Sequence, residues 1–303
     1  MITTKQFQIL TDINPVWKLM TDVYDHAESN GPAAPFFEYA ITSPWCDRDY
    51  LRLNRFWMDG DKPVAFVFYE QPVNQIYFVL RPGYESLASE MIEYVEKTYP
   101  KFEDPLELVF SSGQTALIEA AKRKGYAFTY NEIDRIFDFR QGKLDYPLDP
   151  RYHFVDPVTS DPLKVAKCLW DGFNKSELGE FKNWDIPEKN EGRSPHELYQ
   201  NVLGATISPA PHATYEYTTI IADENEDYVC FAGMWWVQEN KLAYLEPLCT
   251  VPEHQHKGLA AAVLSRYDRI FRPLGAEIMT GGGSEFYKNI GYQGVHVVEH
   301  YSK

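Results

Sequence analysis

The sequence predicts a mixed α/β fold built from two similar halves, each a sheet flanked by helices. Three observations carry this. Short β-branched and aromatic runs alternate with segments whose apolar residues recur at helical spacing. The order strand, strand, Pro-containing turn, helix, strand, helix, Gly-Tyr, strand occurs twice; Lys122-Arg123-Lys124-Gly125-Tyr126 falls where Lys288-Asn289-Ile290-Gly291-Tyr292 falls in the second half, and Pro82 falls where Pro252 does. Finally, 303 residues, 44% of them hydrophobic, suffice for two cores.

The first half opens with helix and loop over 1–45. An amphipathic run from Trp17 to Ala27 is ended by Asn30-Gly31-Pro32. Residues 46–60 are aromatic and Arg-rich, with no chemistry to assign. Residues 63–70 and 75–80 read as antiparallel strands, and Pro82-Gly83 turns the chain. Leu87, Met91, Val95 and Thr98 mark a helix, 106–111 a strand, and 115–124 a helix closed by Gly125. Residues 126–139 read as a hairpin or strand pair. The polar stretch 140–153, with two prolines, places the boundary between a domain of residues 1–145 and one of residues 146–303.

The second half begins with a strand near 152–156 and a helix from Pro162 to Phe173, with Asp161 as its N-cap. The charged segment 174–193 reads as a loop, and Ser194-Pro195-His196-Glu197 as a capping box opening another helix. Strands follow at 215–222, 228–238 and 242–251. A polar loop then leads to Gly258 and a helix marked by Leu259, Ala262, Val263, Tyr267, Ile270 and Phe271. A strand at 276–281, a short helix from Ser284 to Asn289 and a strand at 292–301 complete the half.

A strand, a tight turn and a helix N-terminus place several unpaired N–H groups and the positive end of a helix dipole together, an arrangement that holds phosphate. Here the turn is Gln255-His256-Lys257-Gly258-Leu259-Ala260, and the small residues at 258 and 260 allow close approach to the backbone. This stretch resembles Q/R-x-x-G-x-G/A, the coenzyme A pyrophosphate loop of the GNAT superfamily of N-acetyltransferases. Cys249-Thr250-Val251-Pro252 is similar to the end of that family's central strand, and Phe286-Tyr287-Lys288-Asn289-Ile290-Gly291-Tyr292 to its F-Y-x-x-x-G-F/Y motif. The resemblance is specific in the second half and architectural in the first. It implies an α+β fold of two tandem GNAT-like domains, each a central, mostly antiparallel sheet with flanking helices.

The resemblance further implies an acetyl-CoA-dependent N-acetyltransferase acting on the amine of a small molecule, with acetyl-CoA as acyl donor. A protein or peptide amine as acceptor, and a non-catalytic acyl-CoA-binding regulatory module, are the alternatives. The pantetheine arm would meet the central strand at Cys249, Thr250 and Val251, through the main chain of Cys249 and Val251. The pyrophosphate would meet Gln255, His256, Lys257, Gly258, Leu259, Ala260 and Ala261. Lys257 is a phosphate contact or a solvated loop lysine. Tyr287 matches the family's proton donor to the leaving thiolate, against the reading of a core tyrosine. Where the family often has Asn, seven residues before that Tyr, this chain has Thr280.

Glu246 is the candidate general base. A carboxylate within the apolar run Ala243-Tyr244-Leu245-Glu246-Pro247-Leu248 is costly unless it faces a cleft or is paired, and burial would raise its pKa toward one suited to accepting a proton. Trp235 and Trp236, adjacent on a strand, face opposite sides, one toward the core and the other toward an acceptor pocket. His254 and His256 lack the Cys or Asp cluster a zinc site needs, so no metal is expected.

In the first half the cofactor features are missing. Pro82 to Ala88 spans six positions where Pro252 to Ala260 spans eight, Glu85 falls where phosphates would lie, and Ala121 takes the place of Tyr287. That half is expected to keep the fold, wall the acceptor cleft and bind no coenzyme A.

The net charge of −15 argues against nucleic acid as a partner, because phosphate contacts need clustered Lys and Arg. No apolar run is long enough to cross a membrane, and the N-terminal residues carry no signal-peptide pattern. Four cysteines (46, 168, 230 and 249) without a C-x-x-C pair suit a reducing cytoplasm. A cytoplasmic monomer or homodimer is the expectation.

Overall fold

The structure, a computed structural model, describes residues 1–43, 46–70, 72–100, 105–174, 181 and 210–303. The helix expected at 194 and most of the loop expected at 174–193 lie outside the described residues. The strands are β1 (Ile2–Gln6), β2 (Arg55–Asp59), β3 (Lys62–Tyr69), β4 (Gln75–Leu80), β5 (Glu107–Ser111), β6 (Ala127–Asp138), β7 (His153–Val155), β8 (Thr219–Ala222), β9 (Tyr228–Val237), β10 (Leu242–Thr250), β11 (Ile278–Thr280) and β12 (Gly294–Ser302). They form one twelve-stranded sheet in the order β1-β2-β3-β4-β5-β12-β6-β11-β10-β9-β8-β7. Helices α1 (Ile9–Val23), α2 (Ala34–Thr42), α3 (Ala88–Thr98), α4 (Thr115–Arg123), α5 (Pro162–Gly172), α6 (Leu259–Phe271) and α7 (Glu285–Ile290) accompany it.

The two halves share one plan. Strands β1 to β4 are antiparallel neighbours and β4 runs parallel to β5. Strands β7 to β10 repeat this, with β10 parallel to β11. The closing strands cross over: β12, from the second half, pairs with β5 of the first, while β6, from the first, pairs with β11 of the second. The two crossed strands also pair with each other, from Gly294↔Ile136 to Ser302↔Ala127. The sheets expected for each half therefore meet edge to edge and fuse, which leaves neither inner edge unpaired.

Residues 126–139 are thus one long strand, not a hairpin. The reason is that both partners of β6 lie far away in sequence. Two further strands, β1 and β2, were not visible in the sequence; β1 is an edge strand with mostly exposed side chains, so no apolar alternation marks it. The amphipathic run near Trp17 belongs to a helix that starts earlier and stops at Val23, carrying Pro15 inside it.

Each half buries its own core. Phe37, Phe56, Phe66 and Phe68 anchor the first, with Phe37 edge-on to Phe66 and Phe68 at 5.5 and 5.1 Å; burying one such ring is worth about 1.5–3 kcal/mol. Phe231, Tyr267 and Phe271 anchor the second. A small third cluster, with Ala33, Trp235 and Leu242, joins the halves. The connection from β6 to β7, where the sequence places the boundary, is tied to α6: Leu144 N–H donates to Asp268 Oδ2 at 2.6 Å and Tyr146 N–H to Ser265 Oγ at 2.9 Å. Asp161 caps α5 as expected, its side chain accepting from Leu163 N–H at 2.9 Å.

Candidate functional site

Strands β10 and β11 pair only at Leu242↔Ile278 and Ala243↔Met279 and then part. Thr280, standing where the resemblance expects Asn, closes the top of the gap: its Oγ1 accepts from Leu245 N–H at 2.7 Å. On the other side β10 bulges. Leu245 faces Met234 and Leu248 faces Ala232, so Glu246 and Pro247 together oppose Gly233. A Cβ at Gly233 would sit 2.3 Å from the Glu246 carbonyl oxygen, so glycine is required opposite the bulge. Bulges re-aim side chains, and here the bulged residue is Glu246.

The register corrects one expectation. Val251 N–H donates to Val229 O at 3.0 Å, which makes 251/229, and by alternation 249/231, the mutually bonded pairs. The main-chain groups of Cys249 and Val251 therefore point to β9, not into the gap. Leu248 and Thr250 face the gap, and the Thr250 carbonyl accepts from Gln255 Nε2 at 3.2 Å.

After β10 a single 3₁₀ turn, Pro252–His254, leads to His256 at φ 59° and Gly258 at φ 81°, from which α6 starts. The left-handed turn at Gly258 favours glycine, and a Cβ there would meet nothing within 4 Å. Among the described residues, no N–H from His256 to Ala261 has a protein acceptor; Ala262 is the first to bond, to Gly258 O at 2.9 Å. These donors and the α6 dipole make an anion cradle. Gln255, His256, Lys257, Gly258 and Ala260 line its exposed side, while Leu259 and Ala261 are buried and offer main chain only. His254 is turned away: its Nδ1 lies 3.0 Å from the Tyr152 hydroxyl and its Nε2 4.0 Å from Asp223.

The far end of the gap opens into a cavity of about 360 Å³ between the halves. Glu246, Leu245 and Tyr244 of β10 and Thr280, Gly281 and Gly282 reach it from the second half. The loop after α1, helix α2, Glu70 after β3, Tyr77 of β4, and strands β5, β6 and β12 complete the wall. Glu246 hydrogen-bonds the Tyr39 hydroxyl, and burial, then Glu70 and Asp134, push its carboxyl up to about 8. Burial also raises Glu28 to about 8 and Glu70 to about 7. Trp235 and Trp236 face opposite sides as expected, but neither lines the cavity. Trp236 packs on Phe271 at 5.5 Å, while Trp235 lies in the joining cluster, 6.2 Å from the Tyr244 ring.

Tyr287 sits in the first turns of α7, where Ser284 caps the helix by accepting from Phe286 N–H. Gly281 and Gly282 let its ring lie over the end of β11; a Cβ at Gly281 would fall 2.8 Å from it. The ring packs on Tyr292 at 5.0 Å, and its hydroxyl makes no hydrogen bond among the described residues. Burial, then the charges of Glu246 and Asp134, raise its pKa, so at neutral pH it holds its proton.

The first half repeats the geometry and fills it. Tyr126 N–H bonds Ala121 O at 3.1 Å just as Tyr292 N–H bonds Tyr287 O at 3.0 Å, so Ala121 does occupy the Tyr287 position. Strand β4 parts from β5 after Tyr77, but the gap is occupied by the chain itself. Leu80 N–H donates to Asn30 O at 2.8 Å, Gln114 Nε2 donates to Phe78 O at 2.9 Å, and Gly31 packs so tightly that a Cβ would lie 2.9 Å from Phe78 O. In the following turn the Glu85 carboxylate accepts from Gly83 N–H at 2.9 Å, which lowers its pKa. A carboxylate of the chain thus takes the N–H group that an anion would need.

The sequence reading missed Leu248 and the acidic side chains of β6 and the α1–α2 loop. Pro247 inside a strand was a signal for the bulge; nothing local signalled the others.

Residues 179–292 match the model of the Acetyltransferase (GNAT) family. No curated protein matches the chain. Among solved structures, a tandem GNAT protein from the clavulanic acid biosynthesis pathway, without AcCoA, is similar over 100% of this chain and 98% of its own, at 12% identity and a TM-score of 0.57. A GNAT-family acetyltransferase from Colwellia psychrerythraea is similar over 99% and 100%, at 11% identity and 0.56. A GCN5-related N-acetyltransferase from Sphaerobacter thermophilus is similar over 99% and 95%, at 10% identity and 0.52. At these identities the likeness is one of fold.

Proposed function

We propose that this chain, a tandem GNAT-fold protein whose second half matches the acetyltransferase (GNAT) family, transfers the acetyl group of acetyl-CoA to the amine of a small molecule. The observation that carries the reading is the continuity of three features: the unpaired donors of 256–261, the gap between β10 and β11, and the cavity at its end. The pyrophosphate rests on the N–H groups from His256 to Ala261, with Lys257 within reach as a counter-charge. The pantetheine arm enters the gap and pairs with the main chain of Leu248 and Thr250.

The acceptor amine, in the cavity, loses a proton to Glu246 directly or through water. Its nitrogen attacks the thioester carbonyl, the C–S bond breaks, the thiolate takes a proton from Tyr287, and the surplus proton of the new amide nitrogen restores Tyr287 through solvent. A carboxyl pushed up to about 8 is a competent base near neutral pH, because it returns to the protonated form readily. The cavity volume, about 360 Å³ and walled by both halves, favours a small acceptor over a protein side chain. The first half supplies within one chain a wall that needs no second copy. The four cysteines are free and buried, chemistry suited to a reducing cytoplasm, and no helix among the described residues is long and apolar enough to cross a membrane.

The test is thiol release on mixing the chain with acetyl-CoA and a panel of small amines. Amine-dependent release supports the reading; coenzyme A binding without release for any amine would leave a binding module.

A further inference from the structure

The cavity is unusual in its charge. Among the described residues, Glu28, Glu70, Glu132, Asp134 and Glu246 all line it, and no Lys or Arg does. Among the described residues none of these five carboxylates is within ion-pair distance of a Lys or Arg. The imidazoles nearby give little relief: His296 Nε2 lies 3.7 Å from Glu28, His300 Nε2 3.8 Å from Glu132, and His26 is turned to Glu277 at 3.9 Å. Burial lowers the pKa of His296, which keeps it neutral. The carboxylates come from separate elements. Glu28 is on the α1–α2 loop, Glu70 follows β3, Glu132 and Asp134 share one face of β6, and Glu246 is on the β10 bulge.

Two further observations show that the cavity is built for a ligand. Ser111 is only 5% exposed and lines the cavity, yet its hydroxyl has no hydrogen-bond partner among the described residues. His296 Nε2 is buried and likewise without a hydrogen-bond partner. Buried polar groups are normally satisfied, so His296 Nε2 needs a partner, and the Ser111 hydroxyl, at the cavity wall, is free to bond a ligand. A metal ion does not explain the arrangement, since no three of the described His, Cys, Asp and Glu side chains are grouped to hold one. Phe36, Tyr39, Tyr77 and Tyr244 also line the cavity, and aromatic faces attract organic ammonium groups.

We propose that the acceptor is a di- or polycationic amine: one amino group reacts beside Glu246 while a second ammonium is held by Glu70, Glu132 and Asp134 toward the first half. This rests on the reading of the cavity as the acceptor site. An anionic amine would be repelled by the acids, and a neutral one would make no use of them. Burial raises Glu28 and Glu246 to about 8 and Glu70 to about 7, so these three carboxyls retain much of their proton load near pH 7. A bound polycation favours their ionised forms, so binding releases protons to the buffer.

The experiment is calorimetric titration of the whole chain, without acetyl-CoA, with 1,4-diaminobutane, spermidine and 1-aminobutane, in two buffers of different ionisation enthalpy. The expected result is binding of the diamine or of spermidine about tenfold or more tighter than 1-aminobutane, with net proton release. Glu70→Gln and, separately, Asp134→Asn should shrink that preference, each variant first shown to melt cooperatively. Equal affinity for the three amines, no binding of any, or an undiminished preference in both variants would overturn the proposal. The result separates cleanly from the acetyl-transfer reading. Tight diamine binding with no thiol release on adding acetyl-CoA sinks the transferase and keeps the cation site. Thiol release as efficient with 1-aminobutane as with the diamine does the reverse.

Discussion

Replacing Gly258 by glutamate separates the anion cradle from the fold around it. A Cβ at Gly258 would meet no protein atom within 4 Å, so the new side chain fits without displacing neighbours. Its backbone, at φ 81°, is left-handed; holding a non-glycine residue there costs about 1–2 kcal/mol, a loss a chain with two cores tolerates. The open space beside Gly258 is where a pyrophosphate would lie. A carboxylate about 4 Å from a phosphate charge repels it by about 1 kcal/mol in water and about 4 kcal/mol at an effective dielectric of 20. Affinity for coenzyme A should therefore fall by about fivefold to a thousandfold. Gly258→Gln carries the same backbone strain and nearly the same bulk without the charge, so the difference between the variants isolates the electrostatic part. Calorimetry with coenzyme A gives the affinities, and thermal denaturation reports the strain. A cooperatively folded Gly258→Glu chain with unchanged affinity would refute the assignment of the turn.

Four further outcomes are expected. Tyr287→Phe should lower turnover by about 10²–10⁴, the usual worth of a positioned proton donor, with little change in acetyl-CoA affinity; wild-type turnover would return Tyr287 to a packing role against Tyr292. Glu246 titrates near 8 in the folded chain against an ordinary 4.5, so the contribution of this raised group is lost as pH climbs from 4.5 through 8, and Glu246→Gln should remove that loss. The same substitution should abolish the limb over which activity rises toward pH 8, a limb that Glu28, Glu70, Asp134, Tyr39 and Tyr244 also tune; an unaltered limb would place the base elsewhere. The chain should bind one coenzyme A and not two, because Asn30, Gly31 and Gln114 fill the first gap and Glu85 occupies the first turn; a calorimetric stoichiometry near two would contradict this.

The sequence by itself determined the second half's strand–turn–helix unit. Gly258 at a left-handed helix start, the small residues beside it and the Ser284 cap of α7 are local requirements, written in neighbouring residues. The same is true of α5, capped by Asp161, and of the Gly125 and Gly291 turns, both left-handed in the structure. The missing features of the first half were legible because the repeat supplied its own comparison. The occupants of the empty gap were not, since Asn30 and Gln114 reach Leu80 and Phe78 from distant points of the chain. Only the tertiary structure decided the exchange of β6 and β12, because strand pairing between halves depends on which edges meet and not on any pattern within a strand. It also decided which faces of β10 are free: alternation in a strand shows that neighbours differ, but a bulge and a partner strand are needed to say which points where. The acidic cavity belongs to the same class. Glu28, Glu70, Asp134 and Glu246 are each unremarkable in sequence, and their common chemistry exists only where four separate parts of the chain converge and bury them.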